Sequence, residues 1–204
     1  MIVDPGETDA RNVYKLMIGA IVPRPIAFVS TLSADGVPNL APFSFFTGVS
    51  ANPPVIAFSP MIRSSDGRKK DTLNNIEATR EFVVNVVSEE FAEKMNLCSE
   101  EFPPEVDEFR VSGLTPVPSD LVKPARVLES HINMECRLLQ VVHVSPKPLG
   151  GSIVLGEVVR FHVDDALFDN FRIDPDKLRA FGRMGGSTYA RTTDRFDLIR
   201  PKTK

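Results

Sequence analysis

Residues 39–46 read Asn39-Leu40-Ala41-Pro42-Phe43-Ser44-Phe45-Phe46, inside the longer run GVPNLAPFSFFTGVSANPPVIAFSP at 36–60. The three phenylalanines promise a buried strand, yet Pro42 has no N–H to donate to a sheet ladder, and Asn39 and Ser44 bring polar groups into the run. Two readings fit. The interruptions are either turn residues of a β protein or groups that face a bound ligand, and the stretch alone leaves both open.

The flanking sequence favours a β protein. Upstream, IAFVSTL at 26–32 is β-rich and runs into SADG at 33–36 with its Asp-Gly turn signal, which predicts a pair of antiparallel strands. Downstream, Asn52-Pro53-Pro54 punctuates the chain before the short strand VIAFS at 55–59. EFVVNVVS at 81–88 alternates poorly, as a strand buried on both faces would. ARVLESHINMECRLLQVVHVS and GGSIVLGEVVRFHVDDAL read as two long strands joined by PKPLGG.

Helical spacing is confined to shorter pieces. Asp9 precedes Val13, Leu16, Met17 and Ala20, which predicts a helix over 10–19. DTLNNIEATR reads as a helix opened by Asp71 or Thr72, DPDKLRA as another, and EEFAEKMNLCSEE as an amphipathic one with Glu89, Glu90, Glu93, Glu100 and Glu101 on a solvated face. Prolines 103, 104, 116, 118 and 124 leave 100–124 mostly loop, with one short helical turn around 105–109. The closing GRMGGSTYARTTDRF is loop-like. Many short strands with few helices predict a mainly β, closed or nearly closed barrel with α insertions. A doubly wound sheet would need regular strand-helix alternation, and the chain lacks a G-x-G-x-x-G.

The chain has 204 residues, 42% hydrophobic and 25% charged, which suits one domain over 1–204 with a C-terminal extension from about 175. A net charge of −3 argues against a nucleic-acid binder. The amino terminus MIVDPGETDARNVYKLM lacks an apolar core and no 18-residue apolar run occurs, so a cytoplasmic location away from membranes is expected. Cys98 and Cys136 are too far apart for a C-x-x-C and read as buried free thiols. His131, His143 and His162 lack metal-ligand spacing and no G-x-S-x-G appears, so neither a metal centre nor a hydrolase is expected.

One local contrast stands out. Between Met61 and Lys70, four cations (Arg63, Arg68, Lys69, Lys70) face a single anion, Asp66, in a chain whose total is negative. The segment ends at Asp71-Thr72, the predicted start of a helix, where free N–H groups and the helix dipole favour an anion such as phosphate. A solvated basic loop is the plain alternative. Ser30, Thr31, Ser44 and Ser59 lie in or at the ends of strands; singly they read as strand ends, together as small hydroxyls able to meet a polar heterocycle.

The run PRPIAFVSTLSADGVPNLAPFSFFTGVSANPPVIAFSP, followed by KDTLNNIEATREFVVNVV, GEVVRFHV and GRMGGSTYARTTDRFDLIRP, resembles the flavin reductase-like proteins with an FMN-binding split barrel, particularly the flavoredoxin-like branch. The match spans nearly the whole chain from about residue 10, in the family's order. The resemblance implies a homodimer with FMN in a groove at the subunit interface. It places Asn39, Ala41, Pro42, Phe43, Ser44 and Ser59 beside the isoalloxazine, and Arg63, Lys70, Asp71 and Thr72 at the phosphate. Ser30 and Thr31 would line the ribityl chain, and Met184, Gly185, Gly186 and Tyr189 would close over the site.

A flavin carries its own redox chemistry, so no catalytic acid, base or nucleophile is required of the protein. The resemblance therefore implies an NADH- or NADPH-dependent FMN reductase, with a separate oxygenase as a partner for the reduced flavin. One departure weighs against nicotinamide use. Many relatives carry Gly-Asp-His where this chain has Gly150-Gly151-Ser152. The alternative is a flavoredoxin-type electron carrier that serves a protein partner without binding a nicotinamide; a flavin-free binding barrel is the third.

Overall fold

The computed structural model describes residues 1–201; the last three residues of the expected 1–204 domain lie outside the described part. Seven strands form one sheet: β1 (Ala27–Leu32), β2 (Pro38–Phe43), β3 (Phe46–Ala51), β4 (Pro54–Phe58), β5 (Glu81–Val86), and the two long strands β8 (Ile132–His143) and β9 (Ser152–Val163). The two-residue strands β6 (Pro116–Val117) and β7 (Arg126–Val127) pair with each other within the proline-rich loop. All ladders of the main sheet are antiparallel, in the order β2-β1-β5-β8-β9-β4-β3.

That order forces the sheet to roll. Its two edge strands, β2 and β3, are consecutive in the chain and separated only by Ser44 and Phe45. Laid flat, the two edges would stand about 28 Å apart at the usual interstrand spacing. Three Cα steps reach only about 11 Å. The edges must therefore meet, and the sheet becomes a barrel, but β2 and β3 share no ladder in the strand order. The barrel is split there, at NLAPFSFF. Pro42 is tolerated because β2 pairs only with β1, which leaves its other edge free of the ladder.

Alternation along β1 and β2 sorts side chains between two cores. Ala27, Val29 and Phe43 join Phe58, Phe82, Met134 and Val154 inside the barrel, with the Phe43–Phe58 and Phe58–Phe82 rings 5.2 and 5.6 Å apart. Phe28 and Leu40 face outward into a second cluster with Phe91, Met95, Phe109 and Phe181. β5 is buried on both faces, as its poor alternation predicts.

The expected helices form with small shifts. α1 (Ala10–Ala20) is capped by the Asp9 carboxylate on Arg11 N–H, and α2 (Asp71–Thr79) sends Leu73 and Ile76 into the barrel. α3 (Ala92–Leu97), preceded by a 3-10 turn at Glu89–Phe91, and α4 (Glu108–Ser112) cover the outer cluster. α5 (Pro175–Leu178) has Asp174 as its cap.

Two expectations need correction. The segment from Gly182 to Phe196 is not simply loop: β12 (Phe181–Arg183) and β13 (Tyr189–Arg191) form a hairpin, whose Phe181 and Tyr189 rings meet edge to face at 5.4 Å; the other short pair is β10 (Phe168–Asp169) with β11 (Arg172–Ile173). Glu89, Glu100 and Glu101 do not share a solvated helix face either. α3 ends at Leu97, Glu89 binds Arg179 and Arg191, and Glu101 binds Lys70. Cys98 and Cys136 are free and buried, and burial pushes the Cys98 thiol up to about 11. Among the described residues, no helix is long and apolar enough to cross a membrane.

Candidate functional site

The basic loop 61–70 folds back on itself: Arg63 N–H donates to the Arg68 carbonyl at 2.9 Å, and Gly67 N–H to the Arg63 carbonyl at 3.1 Å. This turn delivers Arg63 and Lys70 to the start of α2. The four cations then separate. Arg68 turns outward onto Asp66 at 2.6 Å, and Lys69 onto Glu77 at 2.8 Å. Arg63, only 7% exposed, donates Nη2 to Asp71 at 2.5 Å, and Lys70 reaches Glu101 at 2.8 Å.

Two features of this corner fit an anion. Arg63 Nε is buried and has no hydrogen-bond partner among the described residues. An unsatisfied buried donor costs about 1–3 kcal/mol, and more when it belongs to a charged group. The start of α2 is also without a side-chain cap: Lys70 sits at the N-cap position, while the sequence predicts Asp71 or Thr72 as the opener. Both of those side chains are engaged elsewhere, Asp71 with Arg63 and Thr72 with Asn39. The start of α2 is thus left without a carboxylate or hydroxyl cap on its first N–H groups.

Asn39, Ala41, Pro42 and Phe43 of β2 line that same cavity beside Arg63, Lys70, Asp71 and Thr72, together with Cys98 to Phe102 and Glu108. The structure therefore brings half of the sequence-predicted site together at one end of the barrel. A buried chain of donors fixes the geometry. Asn75 donates to Thr31 at 3.0 Å, Thr31 and Thr72 donate to Asn39 Oδ1 at 3.3 and 2.7 Å, and Asn39 Nδ2 donates to Glu108 at 2.8 Å. Glu108 also accepts from Leu40 N–H at 3.1 Å, and burial pushes its carboxyl above the usual range.

The other expected residues lie elsewhere. Ser44 and Ser59 line an adjoining groove with Phe45 along the split between β2 and β3. Ser30 and Thr31 are each 1% exposed; the Ser30 hydroxyl donates to the Ala125 carbonyl at 2.5 Å, and Thr31 belongs to the buried chain. Met184, Gly185 and Gly186 form the tip of the β12–β13 hairpin, whose Met184 carbonyl accepts from Arg24 at 2.9 Å. The Tyr189 hydroxyl donates to Asn96 at 3.0 Å, lining a cavity with Glu89 and Phe91.

Sequence reasoning missed Arg24, Glu101 and Glu108. Arg24 is 3% exposed and donates to Ile18, Ile21 and Met184 carbonyls and to the Ser44 hydroxyl, tying α1, the split and the C-terminal hairpin together. Its one legible signal is a cation set between two prolines at 23–25.

Two polar clusters elsewhere have structural explanations. His143 bridges Ser152 and Glu77, but Ser152 is 2% exposed, which denies a carbonyl substrate access to its hydroxyl. Asp120, Glu135 and His162 converge, but Glu135 accepts from Asp120 N–H, Leu121 N–H and His162 at 2.8, 2.6 and 2.6 Å, so it anchors the proline-rich loop.

The family described as flavin reductase like domain matches residues 18–182. The chain belongs to that family. A protein from Aquifex aeolicus is 46% identical over 186 residues, covering 91% of this chain and 92% of its own. The structure of nitrilotriacetate monooxygenase component B from Bacillus cereus is 34% identical with a TM-score of 0.92, covering 97% of this chain and 98% of that one. The Pseudomonas fluorescens 2-nitrobenzoate 2-nitroreductase is 33% identical with a TM-score of 0.88, covering 98% and 96%. The split barrel is thus this family's fold.

Proposed function

We propose that this chain is a homodimeric FMN-dependent oxidoreductase that takes hydride from NADH or NADPH and passes reducing equivalents on through reduced flavin. The observation that carries the reading is the buried, unpartnered Arg63 Nε beside the uncapped start of α2, in a cavity also lined by Asn39, Ala41, Pro42 and Phe43 of β2. Arg63, Lys70 and the first N–H groups of α2 would hold the FMN phosphate. The free edges of β2 and β3 would offer unpaired N–H and C=O groups to the polar rim of the ring. Ala41, Pro42 and Phe43 line the cavity, and Ser44 and Ser59 the adjoining groove.

Bound FMN would accept a hydride and release electrons singly or in pairs. The chain's task is then binding and orientation. The donor chain ending at Glu108 keeps β2 in register with α2, and Arg24 fixes Ser44 at the mouth of the split through a 3.2 Å bond. The resemblance to a monooxygenase component supports delivery of reduced flavin to a separate oxygenase.

A second reading, an electron carrier that binds no nicotinamide, is favoured by Ser152. The family resemblance leads one to expect a histidine at this position for nicotinamide use, whereas Ser152 is buried with its hydroxyl on His143. Anaerobic titration of FMN-reconstituted protein with NADH and then NADPH separates the two. Bleaching of the flavin band by either supports the reductase; a flavin that stays oxidised with both while dithionite bleaches it leaves the carrier. Failure to retain FMN at all sinks both.

A further inference from the structure

The anion corner already contains a carboxylate. Glu101 follows α3 in the loop Ser99–Phe102, and its two oxygens divide the available donors: Oε1 accepts from Lys70 Nζ at 2.8 Å and Oε2 from Ser65 Oγ at 2.5 Å. Lys70 first, then Ser65, holds the Glu101 carboxyl below the usual range, so it is ionised at neutral pH. With this loop in place the cavity encloses about 70 Å³. That is room for one or two waters, against roughly 300–1,000 Å³ for an ordinary ligand site. Meanwhile Arg63 Nε, in the same lining, is left without an acceptor.

We propose that Glu101 is a specificity-determining residue of the anion seat: its carboxylate occupies the place of a ligand's phosphate and yields only to a ligand that carries one. The proposal rests on the flavin reading for the identity of that ligand. Geometry explains the selectivity. A carboxylate offers two oxygens and one charge, which satisfy Lys70 and Ser65 and leave Arg63 Nε and the start of α2 unmet. A phosphate monoester offers three oxygens and close to two charges, enough to serve both sets of donors. A flavin without a phosphate gains nothing at this corner that repays displacing Glu101.

The test compares wild type, Glu101→Gln and Glu101→Ala, with Glu105→Gln on the exposed loop as a control for net charge. Each is titrated with FMN and with riboflavin by flavin fluorescence, and with inorganic phosphate by ³¹P line broadening; thermal melts confirm folding. The proposal expects both Glu101 variants to bind FMN and inorganic phosphate about tenfold more tightly, with riboflavin affinity and the Glu105→Gln control unchanged. Equal or weaker FMN and phosphate binding in the variants overturns it, as does an equal gain for riboflavin, which would mean that the loop merely blocks entry. If neither flavin binds any form, the flavin reading fails, and the phosphate titration alone decides whether Glu101 competes for the seat.

Discussion

At the residue scale, Glu108 is the side chain on which the candidate site's polar chain converges. Every donor in the chain points one way, from Asn75 and Thr72 through Thr31 and Asn39, and the last needs an acceptor. Burial raises the Glu108 carboxyl above its ordinary range, so its folded pKa exceeds its unfolded one. A group shifted this way contributes its full stability below the unfolded pKa and loses it as the pH climbs through the folded value. In Glu108→Gln the amide retains one acceptor oxygen but sets an N–H₂ group near a donor, a cost of about 1–2 kcal/mol in the acid range. The gap between the variant and wild type should then narrow as the pH rises from the ordinary carboxylate range toward neutrality, because only wild type must bury a charge. Urea midpoints of both proteins across that range check this; parallel curves would show that Glu108 ionises as an ordinary surface acid does.

At the scale of elements, Gly156 of β9 sits hard against Phe82 of β5. A Cβ built on Gly156 would stand 2.3 Å from Phe82 Cζ and 2.8 Å from Cε1, inside the barrel core. Gly156→Ala should therefore destabilise by about 1–3 kcal/mol through overpacking. Combining it with Phe82→Leu, which vacates that volume, should cost less than the two single changes added together. Chemical denaturation of the four proteins measures the coupling, and strict additivity would place the strain elsewhere. This contact was not legible in the sequence, where Gly156 is one glycine within a strand. The strands themselves were legible because alternation and turn signals are local: the Asp35-Gly36 turn between β1 and β2 is an instance, with Gly36 at φ +83°. The cation-rich loop was legible for the same reason. Glu101 and Glu108 were not, because they arrive from a proline-rich stretch some 30 to 70 residues away, as the Asn39–Glu108 separation of 69 shows. The hairpin over 181–191 was missed because its strands are only three residues long, too short for alternation to show, and the Gly185-Gly186 pair between them reads as loop.

At the scale of the whole molecule, α1 argues for a second copy. Every residue of this 11-residue helix keeps part of its surface exposed, and Leu16, Met17 and Ile21 are 53%, 46% and 50% exposed. A helix this short is marginal in water without burial of an apolar face. The helix borders a groove of about 630 Å³ shared with Phe45, Ser59 and the loop joining β8 and β9. Val49 on edge strand β3 and Val144 beyond β8 are exposed as well, at 56% and 68%. A homodimer that covers this face would bury α1 and close the split from outside, so assembly and flavin retention should be lost together. Leu16→Asp combined with Met17→Asp is expected to halve the mass measured by light scattering and to weaken FMN retention at least tenfold, while the barrel keeps its β signal in circular dichroism. A wild-type chain that is monomeric at micromolar concentration with FMN bound would sever assembly from the site. A variant that stays dimeric would place the interface on another face.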